Sequence, residues 1–196
     1  MKHTLAHLLL AGLVAGCLSA EAQLGEPHKA ETQKSHLTKF DRKIIDQHAQ
    51  RYGMSCIPSA VEMVLKLLGR EPESYYDLQE AWKEKGDGTF DNFDNQTLNG
   101  VTFHRQFNLP RSDQFPLTSL FQKIDTELKA GHFVIVSLPS GNGYHMFVIY
   151  DEDTAGDFLA VSKNGKQTSE ATHVKDTIKR MKGTDILTYE IKAASP

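Results

Sequence analysis

One cysteine stands where a helix is predicted to begin, and it is the residue best placed to do chemistry. Cys56 opens the apolar stretch CIPSAVEMVLKLLG, in which Pro58 fits only the first turn of a helix. The partial positive charge and free N–H groups at a helix N-terminus stabilise a thiolate, so this position predicts a lowered pKa for Cys56. The thiolate is the attacking form of cysteine, whereas many buried cysteines are inert core residues. Position alone leaves both interpretations open.

A histidine would complete this chemistry, because an imidazolium next to a thiolate stabilises the pair. The chain has nine histidines. His132 and His145 each stand just before an apolar stretch with the composition of a strand. The Gly-Asn-Gly turn at 141–143 would expose the start of the second strand at the edge of a cleft. His145 is therefore the preferred base and His132 its rival, while His48 is interpreted as a surface residue.

The sequence around these residues resembles the C39-like branch of the papain-fold cysteine peptidases. CIPSAVEMVLKLLG is similar to that family's cysteine helix, with Ile57 where glycine is frequent. ELKAGHFVIVSL is similar to its strand entry, although His132 and Phe133 replace a basic residue and a proline. GYHMFVIYDED is similar to the strand that carries the catalytic histidine. The resemblance covers residues 50–164, with little contribution from its middle.

The resemblance implies a cysteine–histidine site with two helping residues. Gln50, six residues before the cysteine, would donate its side-chain amide to the oxyanion, next to the cysteine's own N–H. His145 would be the base. Asn164, at the end of FLAVSKNG, would accept the other imidazole N–H and orient the ring. The rivals for that orienting role are Asp157 and Ser162.

These implications predict an exported cysteine peptidase that hydrolyses a peptide or amide bond in a peptide or protein substrate. No cofactor is expected, and no metal, because the acidic stretches lack the spacing of a calcium loop and other metal motifs are absent from the sequence. Two alternatives stay open. Related papain folds act as acyltransferases or transpeptidases, and a non-catalytic peptide-binding envelope protein could retain the cleft.

The N-terminus, MKHTLAHLLLAGLVAGCLSAEAQ, has the polar start, apolar run and small residues of a bacterial-type export signal. Two processing sites compete. VAGC resembles a lipobox, which would remove residues 1–16 and lipidate Cys17, whereas AEA would end a signal of residues 1–22. The polar residues 23–34 would form a disordered tether. We expect an exported protein that is periplasmic, envelope-anchored or secreted, and that meets a membrane only through such a lipid anchor.

Length and charge narrow the function classes. A chain of 196 residues suits one domain, and its formal net charge of −3 gives no electrostatic footprint for nucleic acid. The chain has two cysteines. If Cys17 is removed or lipidated, Cys56 cannot form an internal disulfide, and an unpaired thiol in an exported protein needs an explanation. A monomer is expected.

The predicted secondary structure that positions these residues has helices first and strands later. Helices are predicted at 35–50, 56–68, 73–86, 117–131 and 172–182. Strands are predicted at 133–138, 146–150, 158–162 and 185–191, and residues 87–116 are expected to be irregular. This order predicts an α+β fold for a single domain over residues 35–196. The resemblance makes it papain-like, with the cysteine helix packed on a C-terminal antiparallel sheet.

Overall fold

An antiparallel sheet runs through the computed structural model, which describes residues 40–86, 88–141 and 143–192. Its strands are β1 (Thr97–Leu98), β2 (Val101–Gln106), β3 (Val134–Ser140), β4 (Gly143–Glu152), β5 (Phe158–Asn164), β6 (Gln167–Ala171) and β7 (Ile186–Ile191). They lie in the order β1-β2-β7-β3-β4-β5-β6, and each neighbouring pair is antiparallel. The export signal, Cys17 and the tether at 23–34 lie outside the described residues.

Helices cover both faces of this sheet. They are α1 (Arg42–Gln47), α2 (Cys56–Leu67), α3 (Asp77–Glu80), α4 (Leu117–Lys129) and α5 (Val174–Arg180). The cluster that contains the apolar side chains of α2 also contains Ile135, Val148 and Val161 of the sheet. The cluster that contains those of α4 and α5 includes Val136 and Phe147. The architecture of mixed helices and antiparallel sheet confirms the α+β prediction, and all described residues belong to one compact unit.

The cysteine helix α2 is the most deeply buried of these helices, as its nearly all-round apolar composition predicts. Every residue of α2 after Cys56 is buried. The helix ends in a left-handed glycine, Gly69, at φ 64°. The Gly69 N–H donates to the Lys66 carbonyl and the Arg70 N–H donates to the Leu65 carbonyl, each at 2.9 Å. This pair of bonds satisfies two of the last carbonyls of the helix.

The stretch 87–116 is more regular than expected. It contains β1 and β2, and β2 enters the sheet next to β7, with Phe103 opposite Tyr189. A further unpredicted strand, β6, follows β5 through a turn at Gly165. Both segments are short and rich in polar residues, so a local pattern does not identify them. Their conformation depends on pairing within the sheet, of β2 with the distant strand β7 and of β6, at the sheet edge, with β5.

Two of the predicted helices differ most from the structure. In the predicted helix 73–86 only Asp77–Glu80 is α-helical, because the following N–H groups of Trp82, Lys83 and Lys85 bond three residues back instead of four. The predicted helix 35–50 ends at Gln47 in the described part of the chain, since His48 has an extended backbone at ψ 153°. That extended segment leads into the loop that precedes Cys56.

Candidate active site

Cys56 lies at the start of α2 and opens into a cleft with a volume of about 280 Å³. The thiol residue itself is partly buried. Met54 and Tyr144 line the cleft and are each 53 % exposed, so its mouth is open to solvent and apolar. Arg105 and Asp185 contribute a charged side to the same lining. The one cysteine of the described residues is therefore accessible from a groove large enough for part of a peptide.

The pKa of Cys56 lies above its ordinary value, contrary to the sequence prediction. Burial raises this pKa because it disfavours the charged thiolate. The backbone N–H groups of Ile57, Cys56 and Met146 hydrogen-bond the sulfur and lower the pKa, but by less than burial raises it. The helix N-terminus thus supplies the donors that the sequence predicts, and desolvation exceeds their effect. The resting form of Cys56 is a neutral thiol.

His145 lies in the same neighbourhood, at the start of β4, directly before Met146, whose N–H contacts the thiol. Its ring, however, does not join the cleft lining. Tyr144 and Met146 line the cleft, and successive side chains of a strand point to opposite faces, so His145 points to the other face. There its ring meets Phe147 edge-on, with 6.0 Å between ring centroids. No hydrogen bond joins Cys56 and His145 among the bonds of the described residues.

A backbone carbonyl fixes the orientation of the His145 imidazole. The ring Nε2 lies 2.9 Å from the Lys163 carbonyl oxygen. A carbonyl only accepts, so Nε2 carries a hydrogen, and in the neutral imidazole the lone pair is on Nδ1. This is the tautomer that a base needs. The sequence placed the orienting role on Asn164, which is exposed at the end of β5, one residue after Lys163.

The two rivals of Asn164 occupy different positions. Ser162 donates its hydroxyl to the Met146 carbonyl at 2.6 Å, so it ties β5 to β4 next to the candidate site. Asp157 lies at the opposite end of the strand pair, next to Glu152, and its Oδ1 accepts from the Lys175 N–H. Glu152 lies seven residues after His145 along the strand, about 23 Å at the usual rise. Asp157 is therefore too distant to orient His145.

His132, the rival base, is separated from Cys56 by the length of the β3–β4 hairpin. In the hairpin, His145 pairs with Leu138 near the turn, whereas His132 precedes Val134 at the other end of β3. The His132 Nδ1 lies 2.7 Å from a Glu127 carboxylate oxygen. The geometry therefore favours His145 over His132 as the histidine near the thiol.

Gln50 is buried, but its amide does not reach the cleft. Its Nε2 donates to the Tyr52 carbonyl at 2.8 Å and to the Gly53 carbonyl at 3.0 Å, which uses both amide hydrogens. Its Oε1 is buried without a partner among the described residues. The oxyanion role implied for Gln50 would require its side chain to exchange at least one of these bonds. The free N–H groups at the start of α2 are the donors already next to the sulfur.

His48 is a core residue, which corrects its interpretation as a surface residue. It is 1 % exposed, and its ring stacks on Tyr76 with centroids 5.5 Å apart. The Lys66 ammonium donates to Nδ1 at 3.0 Å, so Nε2 carries the hydrogen and donates to the Ser59 carbonyl at 3.0 Å. Burial, reinforced by the positive charge of Lys66, lowers the pKa of His48 to about 3.

The charged side of the cleft was not foreseen from the sequence. An Asp185 carboxylate oxygen lies 2.8 Å from Arg105 Nε and 2.6 Å from Nη2, and an Asp91 carboxylate oxygen lies 2.6 Å from Nη1. The two carboxylates fix the Arg105 guanidinium in the wall of the cleft. Arg105 lies in the unpredicted strand β2 and Asp185 lies next to β7, so only the β2–β7 pairing brings them together. No local sequence pattern signals that contact.

The described residues show neither a candidate metal centre nor a membrane-crossing helix. Residues 40–86, 88–141 and 143–192 contain no cluster of three or more side chains suited to hold a metal ion. None of the helices in this part of the chain has the length and apolarity to cross a membrane. Comparison with protein-family models, curated proteins and solved structures gives no match.

Proposed function

We propose that this protein is a cysteine-type amide hydrolase with a papain-like domain of the C39-like type. The observation that carries the proposal is the position of Cys56, at the first residue of a buried helix and in the lining of an open cleft. A purely structural cysteine is typically enclosed in the core, whereas Cys56 is accessible from the cleft. The sequence resemblance around Cys56 and His145 supports the same interpretation, and so does the packing of α2 on the sheet.

The chemistry proceeds from a neutral thiol. The Cys56 sulfur attacks the amide carbonyl carbon while its proton passes to His145 Nδ1, and the oxygen takes the negative charge. The first N–H groups of α2 stabilise this oxyanion. The C–N bond then breaks, the imidazolium protonates the leaving amine, and water hydrolyses the thioester with His145 again as the base.

This mechanism requires His145 to approach the thiol. The ordered pairing of β4 with β5 begins at Val148 and Val161, so the segment that carries His145 is held on one side only, by the pairing of His145 with Leu138 of β3. Its free Nδ1 must come within hydrogen-bond distance of the sulfur when substrate occupies the cleft. The Lys163 carbonyl is the group that holds the ring before this step.

A non-catalytic peptide-binding protein is the second candidate, and three observations favour it. Burial raises the pKa of Cys56, the ring of His145 faces away from the cleft, and the amide hydrogens of Gln50 are both engaged. In this alternative the cleft binds a peptide next to an unreactive thiol. The two candidates differ in whether His145 affects chemistry at Cys56.

A mixture of N-acetyl dipeptide chloromethyl ketones tests the proposal, with iodoacetamide as the reference reagent and glutathione as the reference thiol. Binding in the cleft holds the electrophile near the sulfur. The labelling ratio, which is the rate with the peptidyl reagents divided by the rate with iodoacetamide, should therefore be at least ~10-fold higher for Cys56 than for glutathione. Intact mass and peptide mapping locate the adduct, and Cys56→Ser is the control.

His145→Ala separates the two candidates. A catalytic base predicts slower peptidyl labelling in this variant, whereas a binding protein predicts the wild-type rate. A labelling ratio equal to that of glutathione would argue against both.

A further inference from the structure

Gln79 is completely buried beneath the loop that leads into the Cys56 helix. It lies on the short helix α3, and it is not part of the cleft lining. We infer that Gln79 is a positioning residue, which fixes the loop 49–55 relative to α2. Its effect on catalysis rests on the proposed function, but its effect on the loop does not.

The side-chain amide of Gln79 binds the loop at both ends. Its Oε1 accepts from the Arg51 N–H at 2.7 Å and from the Ser55 hydroxyl at 2.8 Å. Its Nε2 donates to the Ala49 carbonyl at 3.0 Å. Ala49 and Arg51 flank Gln50, and Ser55 directly precedes the cysteine. One side chain therefore sets both the residue implied as oxyanion donor and the first turn of the cysteine helix.

These hydrogen bonds between the Gln79 side chain and the loop form a clamp, which is anchored in the cysteine helix itself. Glu62, which is fully buried in α2, accepts from the Gln79 backbone N–H at 3.0 Å and from its Nε2 at 2.7 Å. Both oxygens of Glu62 and all hydrogen-bonding atoms of the Gln79 amide are thus paired. A buried polar network in which every member is satisfied specifies one arrangement, whereas a partly satisfied one is unstable. The loop and the helix are held as a unit through these two residues.

This arrangement explains why the loop needs glutamine at this position. The amide offers an acceptor toward Arg51 and Ser55 and a donor toward Ala49 and Glu62 at the same time. An ionised glutamate loses the donor, and a methionine of similar size loses both functions. A displacement of about 1 Å in a reacting group can reduce a rate by roughly 10²-fold. Loss of the clamp should therefore affect the chemistry without changing the cleft wall.

The test measures amide hydrogen exchange and labelling in Gln79→Met, with the exposed Gln122→Met as the matched control. Arg51 donates its N–H to Gln79, so its exchange should become at least ~10-fold faster in Gln79→Met and stay unchanged in Gln122→Met. Exchange at Val136, in the centre of the sheet, reports global opening and serves as the internal reference. An Arg51 exchange rate equal to that of wild type would overturn the inference.

The dipeptide chloromethyl ketones supply the second readout. In Gln79→Met the limiting rate of Cys56 labelling should fall by roughly 10²-fold, while the reagent concentration at half-maximal rate changes only a few-fold. A change confined to that concentration would contradict a positioning role.

Gln79→Glu keeps the inference falsifiable if the methionine variant does not fold. Its protonated carboxyl keeps one of the two donors, toward Ala49 or Glu62, so labelling relative to wild type should partly recover as the pH is lowered. A pH-independent ratio would overturn the inference. If wild-type Cys56 shows no preference for peptidyl reagents, the proposed function fails, and the exchange measurement alone still decides the role of Gln79.

Discussion

The protonation state of Cys56 depends on a competition between two effects at the same atom. The first N–H groups of α2 and the Met146 N–H favour the thiolate, while removal of the sulfur from water favours the thiol. Desolvation is the larger effect, so in the proposed mechanism His145 would remove the proton during attack instead of maintaining a preformed ion pair. This makes His145 a general base in the proposed mechanism.

The first prediction concerns the pH dependence of Cys56 alkylation in the free protein. The pKa of Cys56 is raised by burial, so the rate of reaction with iodoacetamide should reach its midpoint at a higher pH than in the urea-unfolded chain. A Cys17→Ser background leaves Cys56 as the only thiol. His145→Ala should leave the midpoint in place, because no resting ion pair is lost. A midpoint below that of the unfolded chain would show a preformed thiolate.

The sequence identifies the residue types of the candidate site better than their contacts. Cys56 at a helix start and His145 at a strand start follow from Pro58 and from the turn at 141–143. The bonds of Gln50 to its own loop and of His145 to the Lys163 carbonyl do not, because backbone carbonyls carry no residue-specific signal. The oxyanion role of Gln50 and the orienting role of Asn164 stay predictions.

At the scale of elements, α2 carries a polar row inside a mostly apolar helix. Ser59, Glu62 and Lys66 are all buried, and each bonds to a residue of the preceding or following segment. Hydropathy shows α2 as a buried helix but does not tell which polar partners it meets. The same limit explains why β2 and β6 are not predicted: β2 pairs with the distant strand β7, and β6 is a polar edge strand on β5.

The second prediction is a loss of stability in acid caused by His48. Its pKa is about 3 in the folded protein, against an ordinary value of 6.5. The unfolded chain therefore binds the proton first as the pH falls through 6.5, and the free energy of unfolding decreases until about pH 3. Relative to about pH 7, the loss from this group should be about 2 kcal/mol at about pH 5.

Urea unfolding at several pH values measures this effect. The glutamine in His48→Gln can accept from Lys66 and donate to Ser59 as the neutral imidazole does. The free energy of unfolding of this variant should therefore decrease less steeply below about pH 6.5, the acid limb of the stability curve. His173→Gln, at an exposed position, is the control. An acid limb of unchanged slope in His48→Gln would mean that another group causes it.

At the scale of the whole molecule, the folded unit and the N-terminal segment pose separate questions. The described residues build the sheet, the helices and the cleft, while the predicted export signal and Cys17 lie outside them. Composition and motif predict these N-terminal features.

The third prediction concerns Cys17 and the attachment of the whole protein. If VAGC is a lipobox, Cys17→Ser should move the protein from the membrane fraction to the soluble fraction of a bacterial host, because the acyl chains are lost. Fractionation and mass spectrometry of the mature N-terminus measure this. A mature chain that begins at Gln23 would contradict lipidation and support cleavage after Ala22.

The central claim is that Cys56 breaks amide bonds with His145 as the base. The most direct measurement is the digestion of a proteome-derived peptide library, with new amino termini identified by mass spectrometry. Four proteins are compared: wild type, Cys56→Ala, His145→Ala and His132→Ala. We predict new termini with wild type and His132→Ala, none with Cys56→Ala, and a rate reduced by about 10²–10⁴-fold with His145→Ala. The same termini with wild type and Cys56→Ala, or none with folded wild type, would contradict the claim.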